Sequence, residues 1–405
     1  MMSELALKGI KVLDFSWIVA GPMVTKFIAD YGGTVVRVES GNRPEILRLS
    51  PPYKDKKVGV DRSGYFTFIN GNKYGISIDL SRPEGIEVVK RLVDWADVVV
   101  ENFAPGVMEK WALGYQDLKK INPEIIMLRC SMQGQEGPHS KHPGIGMQLV
   151  SFSGFTHLTG WPGGEPNQPF GAYTDFMAPH FAVSALIAAL LYRRRTGKGQ
   201  CLDLSQNETA IHFLAPLMLD YTVNGREGSR QGNSCAYAAP HAAYRCQGED
   251  RWCVISVFTD EQWRSFCQVL GNPGWSKEAR FNTVLGRKEN EAELNGFIEE
   301  WTLKRTAEEV VDLMQSAKVP SGVVQTAEDL YLDPQLGHRN SLWKMEHKEL
   351  GTFSHLGQPA VLTKTPAVPR MPAPCLGEHT EYVCRELLGM SSEEFDRLLV
   401  EGIFT

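Results

Sequence analysis

The chain has 405 residues, of which 42% are hydrophobic and 22% are charged, and its formal net charge is −6. This length and composition are typical of a soluble globular protein with more than one core, and the acidic balance argues against nucleic acid as a partner. The eight cysteines form no C-x-x-C pair and have no histidine at zinc spacing, so we expect reduced thiols and no metal site. Because we find neither a run of about 18 apolar residues nor a basic, apolar leader, we expect a cytoplasmic protein that does not bind membranes.

The first part of the chain alternates short apolar strands with helical segments. Residues 9–15 (GIKVLDF) and 34–39 (TVVRVE) are predicted strands on either side of a helix, and such a short crossover favours a parallel sheet. Further strands are predicted at 97–101 and 125–130, and the segment 81–84 (SRPE) predicts a capping box that opens another helix. This alternation predicts a doubly wound, Rossmann-like α/β domain.

The middle of the chain changes character twice. Residues 131–174 are rich in Gly, Pro and His with weak periodicity, which favours a stretch that lines a site. A long apolar helix is predicted over 176–195, with Asp175 at its N-cap and Pro179 in its first turn. After about residue 224, a hairpin with its turn at 248–250 leads into further helices.

The composition and these boundaries predict three segments in two domains. Residues 1–223 form the first part of a large α/β domain, 224–330 a smaller inserted α+β domain, and 331–405 a linker and a return to the large domain. The Pro-rich stretch at 365–374 suits an extended connector.

Common catalytic signatures are absent from the sequence. It contains no G-x-x-x-x-G-K-[ST], no G-x-G-x-x-G after a strand, no G-x-S-x-G and no H-E-x-x-H. These absences argue against NTPases, dehydrogenases, serine hydrolases and zinc peptidases.

An ordered set of short segments resembles the family III coenzyme A (CoA) transferases over nearly the whole chain. The segments are VLDF (12–15), AGP (20–22), VVRVE (35–39), NK (72–73), SIDL (77–80), ADVVVENFAPG (96–106), LG (113–114), NP (122–123), GQEGP (134–138), GAYTD (171–175), TGKGQ (196–200) and LGEHT (376–380). The resemblance implies a large domain built from both chain ends and an interlocked dimer, with a second copy or with a homologous subunit as partner. It also implies CoA esters and carboxylic acids as substrates and no tightly bound cofactor.

The same resemblance implies a role for Asp175 as the covalent nucleophile. Its carboxylate would form a mixed anhydride with the acyl donor and then an aspartyl-CoA thioester, and a helix N-terminus favours the ionised form that this requires. The oxyanions would be stabilised by backbone N–H groups, for which Gly232 and Asn233 or the nearby segment 240–244 are the candidates.

Nine positions match the CoA-contacting segments of the family. They are Val19, Ala20, Arg37, Asn72, Lys73, Asn102, Phe103, Lys110 and Gln133. For Phe103, packing at the end of a strand is an equally good interpretation, and a lysine such as Lys110 on a short helix is usually solvated.

Substrate identity is predicted from a narrower resemblance within the family. The chain resembles subunits of the succinyl-CoA:benzylsuccinate CoA transferases, which implies succinyl-CoA as donor and an aromatic acceptor acid. Bulky side chains in the segments near the site have two interpretations: they contact an aromatic or bulky acyl group, or they simply pack the core. They are Trp17, Met132, Met147, Phe152, Phe155 and Trp161.

Two alternatives stay open. An acyl-CoA racemase of the same fold needs a histidine where this chain has Ile145, although His139 and His142 lie close by in sequence. A non-catalytic CoA-binding subunit of a heteromeric transferase is the other alternative, and an aspartate at the motif position argues against it.

Overall fold

The computed structural model describes residues 5–405, which divide into two compact units. The larger unit combines the described residues up to Phe155 with Gln168–Arg226 and Pro334–Thr405, so it uses both parts of the chain that flank the smaller one. The smaller unit combines Thr156–Asn167 with Glu227–Asp333. The sequence predicted an insertion over 224–330 and gave no signal that 156–167 would join it.

The larger unit is built on a six-stranded sheet. Its strands are β1 (Lys11–Asp14), β2 (Thr34–Glu39), β3 (Tyr74–Ser77), β4 (Val98–Glu101), β5 (Ile126–Ser131) and β6 (Cys201–Ser205). Their order is β3-β2-β1-β4-β5-β6 and every pair is parallel, which confirms the predicted doubly wound α/β fold. The order reverses between β1 and β4, and in such sheets ligands bind outside the carboxyl ends of the strands at this switch point.

Helices surround the sheet and fill the smaller unit. In chain order they are α1 (Ala20–Asp30), α2 (Gly64–Asn70), α3 (Pro83–Trp95), α4 (Val107–Lys110), α5 (Tyr115–Ile121), α6 (Gly146–Phe152), α7 (Phe155–Leu158), α8 (Tyr173–Thr196), α9 (Gln206–Ile211), α10 (Ala215–Asn224), α11 (Asp260–Val269), α12 (Val284–Glu289), α13 (Glu291–Thr302), α14 (Ala307–Ser316), α15 (Ala327–Leu332), α16 (Pro334–His338), α17 (Thr380–Tyr382) and α18 (Ser392–Val400). A short π-helical turn, Val383–Leu387, continues α17.

Alternate strand residues feed two separate cores, because successive side chains of a strand point to opposite faces. Leu13 of β1 belongs to a core with α3 and with Phe395 of α18, so the end of the chain completes this face. Val12 belongs to the core on the other face, which is closed by α1 and α8. Both faces are therefore covered, as parallel sheets require.

Helix α8 differs from its predicted bounds and from the expectation on membranes. It begins at Tyr173 instead of 176, because the chain turns at Gly171 (φ +66°) and Ala172 takes the N-cap position. Asp175 is consequently the third residue of the helix and not its N-cap. By length and composition α8 could cross a membrane, although 44% of its apolar window is buried, including Leu186 in the core of the larger unit.

The smaller unit and the chain's return each contain a small antiparallel sheet. β7 (His241–Arg245), β8 (Trp252–Ser256) and β9 (Ser321–Val323) form one sheet, with the β7–β8 hairpin where the sequence predicted it. β10 (Leu342–His347) pairs with β11 (Gly351–Leu356) in the larger unit.

Candidate active site

A groove of about 750 Å³ lies at the carboxyl ends of β1 to β4 in the larger unit. Phe15 and Ile78, which directly follow β1 and β3, line it. Trp17, Phe103 and Trp111 contribute an aromatic wall, with edge-to-face ring pairs at 5.9 Å and 5.6 Å between centroids. The groove therefore occupies the switch point of the sheet and offers flat aromatic surfaces to a ligand.

Arg43 is the only lysine or arginine among the described residues that line the groove. Its side chain is exposed, and its guanidinium carbon lies 5.5 Å from the ring centroid of Trp17. The two carboxylates of the lining are already engaged: Glu39 binds Arg48, and Asp79 binds Ser81. Arg43 is thus the cation that the groove presents to an anionic ligand.

Two of the predicted CoA contacts, Arg37 and Lys73, are completely buried. The Arg37 guanidinium donates to the Ser16 carbonyl at 2.8 Å and to the Glu45 carboxylate. The Lys73 ammonium donates to Asp14 at 3.1 Å and to two further oxygens at 2.9 Å, and burial lowers the pKa of Lys73. Both cations thus belong to an internal ionic network, and their contact with a ligand stays a prediction.

Three more predicted residues are also internal. The Asn72 side chain donates to Asp30 at 2.7 Å and accepts from the Arg370 backbone at 2.7 Å, which ties the returning chain to the sheet. Val19 packs in a buried cluster with Ile69, and Ala20 packs beside Cys130.

The other four predicted contacts divide between the groove and the surface. Asn102 and Phe103 directly follow β4 and line the groove. Lys110 is exposed at the end of α4 and does not line the groove. Gln133 is half-buried and accepts a hydrogen bond from Asn207 at 3.0 Å, also away from the groove.

Asp175 lies in the first turn of α8 with 8% of its surface exposed. Burial raises the pKa of Asp175 to about 7. Within residues 5–405, no group donates a hydrogen bond to its carboxylate, so desolvation is not offset by a donor. Pro179 stands four residues later and has no N–H to donate to the Asp175 carbonyl. The carboxylate is therefore poorly solvated.

Sequence reasoning missed two glycines that connect the groove to Asp175. Gly144 lines the groove, and Gly146 begins α6 against Asp175. A Cβ at Gly146 would lie 2.7 Å from Oδ2 of Asp175 and 2.4 Å from the Cβ of Ala172. The available signal was the Gly-Ile-Gly sequence inside the irregular stretch, where glycine permits a close approach.

Tyr65 is a further neighbour that the sequence did not indicate. Burial, followed by the charge of Asp175, raises the pKa of Tyr65. Tyr65 and Phe176 both pack against the same buried cluster, which includes Val19 and Phe66. Tyr65 is therefore a neutral hydroxyl within the electrostatic reach of Asp175.

The predicted oxyanion residues belong to the smaller unit. Gly232 has φ +59°, lies against the ring of Trp161, and donates its N–H to the Gly160 carbonyl at 2.9 Å. The Asn233 carbonyl accepts a hydrogen bond from His241 at 2.8 Å. An oxyanion role for this loop stays a prediction.

The residues considered for a racemase lie around the same turn. Ile145 is 55% exposed between the two glycines, and its side chain cannot transfer a proton. His139 and His142 are exposed and face each other at 4.5 Å between ring centroids. In the part of the chain that the structure describes, no group of three or more His, Cys, Asp or Glu side chains is placed to hold a metal ion.

Comparisons with known proteins agree with this architecture. The crystal structure of a CAIB/BAIF family protein from Brucella suis matches with a TM-score of 0.87 and 30% identity, covering 95% of this chain and all of that one. The succinyl-CoA–D-citramalate CoA-transferase of Chloroflexus aurantiacus is 31% identical over 98% of both chains. The succinyl-CoA–L-malate CoA-transferase beta subunit of the same organism is 30% identical over 98% of this chain and 97% of its own.

The family assignment rests on most of the chain. Residues 7–380 match the model of CoA-transferase family III. This match includes the groove, the 144–146 turn and Asp175, and it confirms the enzyme class that the sequence segments predicted. The chain belongs to CoA-transferase family III.

Proposed function

We propose that the protein transfers CoA from an acyl-CoA donor to a carboxylic acid, with Asp175 as the covalent nucleophile. The observation that carries this proposal is the position of the buried carboxylate. It touches Gly146, only two residues from Gly144 in the groove wall. A CoA ester in the groove would thus have its thioester end near a carboxylate that burial leaves poorly solvated.

Each step of the exchange balances without ATP. An Asp175 oxygen attacks the donor thioester carbonyl, the C–S bond breaks, and CoA leaves as thiolate while a mixed anhydride forms. The thiolate attacks the Asp175 carbonyl carbon, the donor acid leaves as carboxylate, and an aspartyl-CoA thioester remains. The acceptor carboxylate then runs the two steps in reverse and regenerates the Asp175 carboxylate.

We infer that the nucleotide part of CoA occupies the groove and that Arg43 contacts a phosphate. Arg43 is exposed there, whereas Arg37 and Lys73 are bonded internally. Arg43→Ala should raise KM for an acyl-CoA about tenfold and leave KM for the corresponding acyl-pantetheine unchanged, since pantetheine lacks the nucleotide. Arg43→Lys should recover part of the loss. A larger effect of Lys110→Ala than of Arg43→Ala would instead favour the contact that the family resemblance implied.

We propose succinyl-CoA as donor and a short dicarboxylic acid as acceptor. The support is that two relatives covering the whole chain are named for succinyl-CoA and for citramalate or malate. An aromatic acceptor such as benzylsuccinate stays a prediction. Of the bulky residues behind it, Trp17 lines the groove, whereas Met147 and Phe152 are about half exposed.

The decisive experiment traps the enzyme intermediate. The purified protein is incubated with succinyl-CoA and then with hydroxylamine or borohydride, and peptides are mapped by mass spectrometry. Acyl-CoA-dependent modification confined to the peptide that contains Asp175 is expected. Exchange of the α-proton in deuterated water without any modification would favour a racemase. If the protein binds CoA but shows neither modification nor proton exchange, a non-catalytic subunit would be favoured.

We further propose that the working form is a dimer, with a second copy or with a homologous subunit. The support is an apolar surface on the larger unit formed by exposed side chains of α8, α10 and the turn before α10. These are Phe181, Leu191, Tyr192, Phe213, Leu217, Met218, Leu219, Tyr221 and Val223. The rings of Phe181 and Phe213 contact each other, and clustered exposed apolar side chains are typical of an interaction site in a soluble protein.

A further inference from the structure

We propose that Glu45 is a positioning residue for the groove. It holds Ile18 in a left-handed conformation, so that Trp17 and Ile18 form one wall of the groove. This inference rests on the proposed function, because it takes CoA as the ligand of the groove.

The wall contains a strained residue. Ile18 has φ +66°, a region that β-branched side chains rarely adopt, and it is not part of any regular element. Both Trp17 and Ile18 line the groove. The wall thus depends on a backbone conformation that is unfavourable for an isoleucine at position 18.

A fully buried carboxylate stabilises this conformation. The Ile18 N–H donates to one oxygen of Glu45, and the Arg37 guanidinium donates to the other. Arg37 also donates to the carbonyl of Ser16 at 2.8 Å, and both Glu45 and Arg37 are 0% exposed. The loop after β1 is therefore held twice, directly by Glu45 and through Arg37 on β2.

The neighbouring contact, from Asn102 just after β4, complements this one. The Asn102 side chain accepts from the Trp17 N–H at 2.8 Å and donates to the Trp17 carbonyl at 2.7 Å. That carbonyl and the Ile18 N–H belong to one planar peptide, so Asn102 orients this peptide from its oxygen side and Glu45 from its N–H side. Within the described chain, Glu45 supplies the side-chain acceptor for the Ile18 N–H.

The test compares Glu45→Asp in two backgrounds, Ile18→Ala and Ile18→Gly. Aspartate keeps the buried charge beside Arg37 but is one methylene too short to hold both donors. Both background changes remove the Ile18 side chain, and only glycine adopts φ +66° without strain. Calorimetric titration of the full chain with CoA should show about tenfold weaker binding, about 1.4 kcal/mol, in the alanine background. In the glycine background the loss of CoA affinity should be at most about twofold, because glycine adopts this φ without the help of Glu45.

Two results would overturn the inference. One is an equal loss of CoA affinity in both backgrounds, which would mean that Glu45 supports the fold in general. The other is no loss in either background. Thermal unfolding of every variant checks that it is folded. Glu45→Gln also cannot accept hydrogen bonds from both Ile18 and Arg37, so its loss of CoA affinity should depend on the residue at position 18 in the same way. Absence of CoA binding by the unsubstituted protein would count against the proposed function itself.

Discussion

Two effects on the charge of Asp175 oppose each other. The first turn of α8 favours a negative charge, because the helix N-terminus presents unpaired N–H groups. Burial disfavours the charge, and it prevails, since the pKa of Asp175 is raised to about 7. Ionisation of Asp175 at neutral pH therefore has a cost in stability, which is a common property of functional sites.

The first prediction concerns the pH dependence of turnover. With the ionised Asp175 carboxylate as the proposed nucleophile, kcat/KM should fall about tenfold per pH unit below the Asp175 pKa of about 7 and level off above it. Initial rates measured from pH 5 to pH 9 would check this. A kcat/KM that does not change between pH 5 and pH 9 would contradict the inference that burial raises the pKa of the nucleophile.

The second prediction concerns stability. The folded pKa of Asp175 lies above its ordinary value of 3.8, so ionisation costs folding energy that is absent below about pH 4 and complete above about pH 7. At about 1.4 kcal/mol per pKa unit the upper limit is roughly 4 kcal/mol, and we expect Asp175→Asn to stabilise the fold by about 2 kcal/mol at pH 8. At pH 4 the gain should vanish. Denaturant unfolding at both pH values measures this difference, and a gain of equal size at both would rule out ionisation as its cause.

At the scale of elements, the turn before α6 lies between the groove and Asp175. Gly144 borders the groove and Gly146 borders Asp175, so only this turn separates the proposed CoA site from the proposed nucleophile. The close packing of α6 on α8 requires a residue without a side chain at 146.

The third prediction tests this packing. Gly146→Ala should reduce kcat by roughly a hundredfold, because a Cβ 2.7 Å from the carboxylate must displace Asp175, and misplacement by about 1 Å has this effect. Gly64→Ala is the matched control, since Gly64 also begins a helix but meets its nearest neighbour at an ordinary 3.4 Å. Equal losses in both variants would indicate a general effect of the glycine change.

Element boundaries show where sequence patterns were insufficient. The segment 81–84 predicted a capping box, but α3 begins at Pro83 with Arg82 as N-cap, and the Ser81 hydroxyl bonds Asp79 at 2.7 Å instead. A cap motif in the sequence shows which side chains are able to bond the helix end. A nearby carboxylate can compete for the same hydroxyl, and the motif alone does not reveal this competition.

At the scale of the whole molecule, α8 contributes to a core, and both α8 and α10 carry exposed apolar side chains. Leu186 and Ala182 are buried beneath the sheet, while Leu191 on the same helix and Leu219 on α10 are more than half exposed. Such a surface is costly in water unless a partner covers it.

The fourth prediction follows from this surface. Leu219→Glu should weaken self-association or association with a homologous subunit at least tenfold, because a charge would be buried at an apolar interface. Leu285→Glu is the control, since Leu285 is 69% exposed in the smaller unit and outside this surface. Sedimentation equilibrium measures both. A monomeric protein that instead partitions onto lipid vesicles would contradict the dimer.

Sequence patterns predicted the alternation of the first strands and helices, the hairpin of the smaller unit, the family and the candidate nucleophile, because these depend on local periodicity and on short segments in a fixed order. The three-dimensional packing was needed to learn that Arg37 and Lys73 are internal, that Arg43 is the cation of the groove, and that Gly146 touches Asp175. Burial and ion pairing arise from residues distant in the chain, such as Glu45 with Arg37 and Ile18. No pattern of neighbouring residues specifies such contacts.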